Sequence, residues 1–94
     1  MRRIQHFIDG ELRAGTSGRS SDVYDPATGA VQARVDLASA TEVDQVVASA
    51  SKAAIEWGES SLTQRTQIMF RFRELLAART DELARVISSE HGKV

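Results

Sequence analysis

The chain of 94 residues contains no cysteine, which excludes disulfides, thiolate metal sites and a thiol nucleophile together. It has no excess of one charge: the formal net charge is −1, with Arg and Lys dispersed among Asp and Glu, so there is no one-signed field of the kind that attracts phosphate backbones, and nucleic acid is not an expected partner. It has no long apolar run either. The segment after Arg2 and Arg3 lacks the uninterrupted apolar stretch of a signal peptide, and nothing approaches a membrane-spanning length, so no membrane partner is expected and the cytosol is the default address. Proline occurs once.

What is present is ordinary for a globular protein: 41% apolar and 27% charged residues, a balance that speaks against disorder or low-complexity repeats. The length suits one domain, and a domain this small buries only about 60–65% of its unfolded surface.

Asp9-Gly10 between "QHFI" and "ELRA" is a strong signal for a two-residue hairpin turn, and predicts strands near Gln5–Ile8 and Glu11–Ala14. Gly15 to Asp22 is rich in glycine and hydroxyl residues without an apolar period and reads as a surface loop. Pro26 to Gly29 then turns the chain into a strand in which Val31, Ala33, Val35 and Leu37 alternate with Gln32, Arg34 and Asp36, one face apolar and the other polar.

After Ala38 the period changes from two to 3.6. Ser39 with Glu42 fits a capping box, with Thr41 as an alternative cap. Val43, Val46, Val47, Ala50, Ala54 and Trp57 follow one helical stripe that ends at Gly58. Ser61 with Gln64 starts a second helix whose apolar side carries Ile68, Phe72, Leu75, Leu76, Leu83, Val86 and Ile87. Thr80, followed by Asp81-Glu82, marks a kink or restart there. Met69 and Phe70 widen this apolar surface beyond one stripe, so part of it must face something other than the first helix. The expected fold is α+β: an N-terminal hairpin and short strands within about 5–37, then two antiparallel amphipathic helices, about 40–58 and 61–91. The leftover apolar surface predicts a homo-oligomer.

The residues offer little chemistry. A catalytic or metal role for His6 and His91 would require them to meet a carboxylate such as Asp9 or Glu90, and no ligand spacing supports it. No glycine falls in a dinucleotide-binding or P-loop pattern. Ser17, Ser20, Ser21, Ser60, Ser61, Ser88 and Ser89 suit turns and caps better than catalysis. Arg65, Arg71, Arg73, Arg79 and Arg85 alternate with acidic residues as on a solvated helix face, and a lone Trp57 on an apolar stripe is best read as core, its indole N–H reaching a nearby carbonyl.

Several stretches together resemble the N-terminal segment of the aldehyde dehydrogenase superfamily. They are "FIDGEL", "VYDPATGAV" with its turn from Asp25 to Gly29, the alanine-rich helix ending in Trp57, Arg65 at the start of the second helix, and the closing Glu90-x-Gly92-Lys93. Within it, "HFIDGEL", "MFRFRELL" and "EHGKV" are most similar to the CoA-acylating methylmalonate-semialdehyde branch, whose members use NAD and release propionyl- or acetyl-CoA with carbon dioxide. The resemblance covers essentially the whole chain. It implies that residues 1–94 form an incomplete part of the nucleotide-binding domain, an N-terminal fragment of a longer enzyme whose remainder is its partner. It also implies NAD and coenzyme A as cofactors of the parent and none for this chain. Thiolate, oxyanion donor and nicotinamide site all belong to later segments of that family, so no catalytic, cofactor-binding or metal residue is assigned within 1–94, and the fragment is expected to be inactive. Some members hold a monovalent cation near the positions matching Val23-Tyr24 and Glu90. The alternatives are a fragment of a non-acylating aldehyde dehydrogenase and a natural small interaction module.

Overall fold

The computed structural model describes residues 1–94. Five strands, β1 (Arg2–Ile4), β2 (His6–Ile8), β3 (Glu11–Arg13), β4 (Ser20–Tyr24) and β5 (Val31–Asp36), precede three helices, α1 (Ala40–Glu59), α2 (Leu62–Ala78) and α3 (Thr80–His91). This is the expected α+β class. Asp9 and Gly10 take positive φ of 52° and 78°, as a type I′ turn demands, and β2 pairs with β3 around them.

The other sheet has the order β1-β5-β4, with β1 parallel and β4 antiparallel to β5. Two features of it correct the sequence reading. The segment Gly15 to Asp22 is not loop throughout, because Ser20, Ser21 and Asp22 pair with Asp36, Val35 and Arg34; backbone ladder bonds outweigh the low strand preference of Ser and Asp. β1 has no signal in the sequence, since Arg2–Ile4 is too short to show alternation and its partner is remote in sequence.

The alternation along β5 is also imperfect. A register shift opposite Val23/Tyr24 leaves Gln32 without a ladder partner, and bulges of this kind re-aim side chains. Gln32 Nε2 donates to Ser89 O at 2.7 Å and to Tyr24 O at 3.3 Å, tying the sheet to the end of α3. Asp36, assigned to the polar face, is buried, and Leu37, assigned to the apolar face, is not.

Both capping boxes form. Ser39 Oγ accepts from Glu42 N and Ser61 Oγ from Gln64 N, each at 3.1 Å, and both reciprocal bonds are present. α1 does not stop at Gly58 but runs to Glu59, where Ser60 N donates to Trp57 O. The break at Thr80 is real, although Thr80 is the first helical residue and not the cap. Arg79 holds the cap position with φ −116° and ψ 23° and no side-chain bond, while Thr80 Oγ1 donates back to Ala77 O at 2.9 Å. α3 ends on Gly92 in the left-handed conformation.

Only three residues are buried, and Ala33 at the centre of β5 is the only apolar one. The molecule measures 47 × 36 × 16 Å with a radius of gyration of 16.9 Å, against about 12 Å for a close-packed chain of this length. It is a slab. Trp57, expected in a core, is 45% exposed and lines a cleft with Ile68 and Arg71 where α1 meets α2.

Candidate functional site

The most elaborate polar arrangement lies where the two sheets and α1 meet. Asp36, at the end of β5, accepts from Arg3 Nε at 2.7 Å and from Gly15 N at 2.6 Å. Six residues on, Glu42 accepts from Ser39 N at 3.0 Å with one oxygen and from Thr16 N at 3.1 Å with the other. His6 Nε2 stands 3.5 Å from that second oxygen. Two buried carboxylates thus hold β1, the turn after β3, β5 and α1 together, while His6 Nε2 is buried beside them without a hydrogen-bond partner.

The hydrogen-bond donors set the ionisation of both acids. The Arg3 guanidinium, helped by the Gly15 amide, holds the Asp36 carboxyl below its ordinary value, and Asp36 in turn raises Arg3. The Ser39 amide lowers Glu42 most, with loss of solvent opposing it and the Thr16 amide adding to it. Both acids are therefore ionised acceptors at neutral pH. They serve as fasteners, because every oxygen that could act as a base already receives an N–H of the scaffold.

The residues weighed from sequence are not brought together as a catalytic set. His6 joins Glu42, while His91 closes α3, and no group of three His, Asp or Glu side chains converges to hold a metal. Ser17 Oγ donates to Leu37 O, Ser88 Oγ to Lys93 O and Ser89 Oγ to Val86 O; Ser39 and Ser61 cap helices. Arg65 Nε is buried without a hydrogen-bond partner. Near the positions that the resemblance connects with a cation, Tyr24 O accepts from the Gln32 amide and the Glu90 side chain pairs with the Arg2 guanidinium, each at 3.3 Å; we assign no ion there.

The clamp was missed from sequence because it joins residues 21 to 33 positions apart. The signal available was Gly15, where a Cβ would lie 2.9 Å from Asp36 Cβ and 3.1 Å from His6 Nε2.

Around this clamp the surface is largely apolar and open. Phe7 and Leu12 face each other across the hairpin and are 72% and 70% exposed. Phe7 and Ile8 line a groove of about 290 Å³ with Val43, Val46 and Val47 of α1. The accessible surface is 7717 Å², against about 5,400 Å² for a folded monomer of this mass.

The fold and the clamp together make an open α+β scaffold with exposed apolar faces. Residues 13–94 match the model of the aldehyde dehydrogenase family. The chain belongs to that family. It is 44% identical to malonate-semialdehyde dehydrogenase 3 of Geobacillus kaustophilus (strain HTA426) over 97% of this chain and 19% of that protein. It is 42% identical to malonate-semialdehyde dehydrogenase 2 of Geobacillus thermodenitrificans (strain NG80-2), with the same coverage. Among solved structures, a protein assigned as methylmalonate-semialdehyde dehydrogenase from Sinorhizobium meliloti 1021, complexed with NAD, superposes with a TM-score of 0.90 at 41% identity, covering 96% of this chain and 18% of that one. The methylmalonate-semialdehyde dehydrogenase of Oceanimonas doudoroffii gives 0.89 at 40% identity, covering 97% of this chain and 18% of that one. The chain therefore spans less than a fifth of the length of these relatives.

Proposed function

We propose that this chain is the N-terminal part of the nucleotide-binding domain of an NAD-dependent, CoA-acylating methylmalonate- or malonate-semialdehyde dehydrogenase. The observation that carries the reading is the likeness over nearly the whole chain to malonate- and methylmalonate-semialdehyde dehydrogenases, in both sequence and backbone. In this reading the parent oxidises the semialdehyde, loses carbon dioxide and releases propionyl- or acetyl-CoA in the cytoplasm, with NAD taking the hydride and CoA the acyl group. Residues 1–94 supply no reacting group. Their task is architectural: the clamp at Asp36 and Glu42 sets the hairpin against α1, and the exposed apolar faces of the hairpin and helices pack on the remainder of the enzyme and support a homo-oligomer.

Assay of the protein at the length its gene encodes tests this directly. NADH formation from methylmalonate or malonate semialdehyde that requires CoA and yields the acyl-CoA is expected. Turnover independent of CoA, giving the free acid, would place it in a non-acylating branch. A gene product ending at Val94 that neither turns over aldehyde nor binds NAD would instead favour an interaction module. Residues 1–94 produced alone are expected to be inactive, and NAD binding by them would overturn the architectural role.

A further inference from the structure

His6 is the one titratable side chain at the clamp that makes no hydrogen bond. Its Nε2 is buried without a partner, although Glu42 Oε2 stands 3.5 Å away, and buried polar atoms ordinarily have one. Glu42 lacks something too. Its side chain is only 11% exposed, yet the donors it receives, the Ser39 and Thr16 amides, are uncharged, and only the N-terminal dipole of α1 offsets its full charge. The charges around the pair are otherwise matched. From β1 and β5, Arg3 and Asp36 hold each other at 2.7 Å. From β3, Arg13, the cross-strand neighbour of His6, meets Glu11 at 3.6 Å. Thr16, Gln45 and Ser49, which line the same recess of about 160 Å³ as His6 and Glu42, are neutral. Glu42 is therefore the unmatched buried carboxylate, and His6 is the only basic group beside it.

We propose that His6 is a proton-operated latch between the hairpin and α1: the imidazolium donates from Nε2 to Glu42 Oε2 and draws β2 onto the helix, and the neutral ring leaves the gap open. Glu42 Oε2 has room for this donor beside the Thr16 amide, because a carboxylate oxygen offers two lone-pair sites. A hydrogen bond between two charged groups is about twice as strong as one between neutral groups. Histidine ordinarily changes charge between about pH 5 and 8, an interval in which Asp36 and Glu42, both held below their ordinary values, stay ionised. The latch thus tightens as pH falls through that interval, opposite in sign to the loss of the clamp in stronger acid. What it secures is the groove of about 290 Å³ between Phe7 and Ile8 of the hairpin and Val43, Val46 and Val47 of α1. That seam matters because β2 and β3 pair only with each other, and an isolated two-stranded hairpin is marginal in water.

Hydrogen exchange of the protein at the length its gene encodes, read by mass spectrometry on peptides covering residues 6–13 and corrected for the chemical rate, tests the latch. Relative to peptides of α3, protection of the hairpin at about pH 6 is expected to exceed that at about pH 8 by at least about threefold. H6Q keeps a side-chain donor that cannot titrate, and E42Q keeps the imidazole while removing the charge it faces. Each should bring the ratio of the two protections to about one, with circular dichroism confirming that the variants are folded. Should H6Q fail to fold, E42Q and H6N carry the same comparison. A ratio of one in the parent protein, or the parent's ratio retained in the folded variants, would overturn the latch.

Discussion

The Glu42 carboxylate accepts the Thr16 amide at 3.1 Å while its other oxygen accepts the Ser39 amide at 3.0 Å, so one side chain closes a local capping box and a contact 26 residues away. A capping box is normally worth its two local bonds. Here it also anchors the turn after β3, and the start of α1 and the position of the hairpin become one structural decision.

The first prediction follows from that double use. E42Q keeps one acceptor oxygen but replaces the other with a donor and removes the charge. Hydrogen exchange should show the Thr16 amide losing protection by about tenfold or more, with Val46 and Val47 in the body of α1 little changed. Equal loss along all of α1 would mean that Glu42 acts only as a cap.

A pH dependence follows from the same clamp. Asp36 and Glu42 both titrate below their ordinary values of 3.8 and 4.5. Depressed acids stabilise the fold fully above the unfolded values, and the contribution fades as pH falls through the folded ones. Thermal melts should therefore be flat in this contribution above about pH 5 and fall progressively below about pH 4.5. D36N should lower stability at neutral pH and flatten that acid limb. An acid limb as steep in D36N as in the parent sequence would assign it to other carboxylates.

Legibility from sequence divided along the range of the interactions. The Asp9-Gly10 turn, both capping boxes and the restart at Thr80 were readable because each is decided within about four residues, by left-handed backbone or by a side chain reaching its own helix end. The pairing of β1 with β5 and of Ser20–Asp22 with Val35 and its neighbours was not, because ladder partners lie on another strand and Arg2–Ile4 carries no period of its own. Asp36 shows the limit most plainly. Alternation placed it on a solvated face, yet Arg3 and Gly15 satisfy its charge and bury it. Trp57 errs in the opposite direction, since a stripe identifies which side of a helix seeks cover without saying whether this chain supplies it.

Glycine substitutions separate two kinds of constraint. At Gly15 the backbone does not require glycine, but an added Cβ would meet Asp36 Cβ at 2.9 Å, so G15A should cost about 1–3 kcal/mol through overpacking and should loosen the Asp36 contact. At Gly18 there is open space but φ is +75°, so G18A should cost about 1–2 kcal/mol from backbone alone and leave the clamp intact. Denaturant unfolding, combined with the exchange rate of the backbone amide that donates to Asp36, distinguishes them, and equal loss of protection at that amide in both variants would refute the distinction.

The bulge at Gln32 predicts a local effect far along the chain. Its amide supplies the 2.7 Å bond to Ser89 O, so Q32A should destabilise by about 1 kcal/mol and increase hydrogen exchange near the end of α3 while sparing its first turn. Unchanged exchange at the helix end would show that the Arg2–Glu90 pair at 3.3 Å is sufficient to hold it.

The exposed pair Phe7 and Leu12 makes the strongest statement about packing. The two side chains sit opposite each other on an isolated hairpin, and the whole chain carries 7717 Å² of accessible surface, roughly 2,000 Å² beyond a compact monomer of its mass. That excess is larger than the roughly 800 Å² that one partner contributes to a standard interface, so it calls for extensive packing and not a passing contact. Residues 1–94 produced alone should therefore self-associate at tens of micromolar, giving light-scattering masses well above the monomer and binding a dye that reports exposed apolar surface. F7S with L12S should reduce both signals while leaving the clamp in place. A monodisperse, cooperatively melting monomer at about 100 µM would mean that these faces tolerate water, and the proposed packing role of the hairpin would fall with that result.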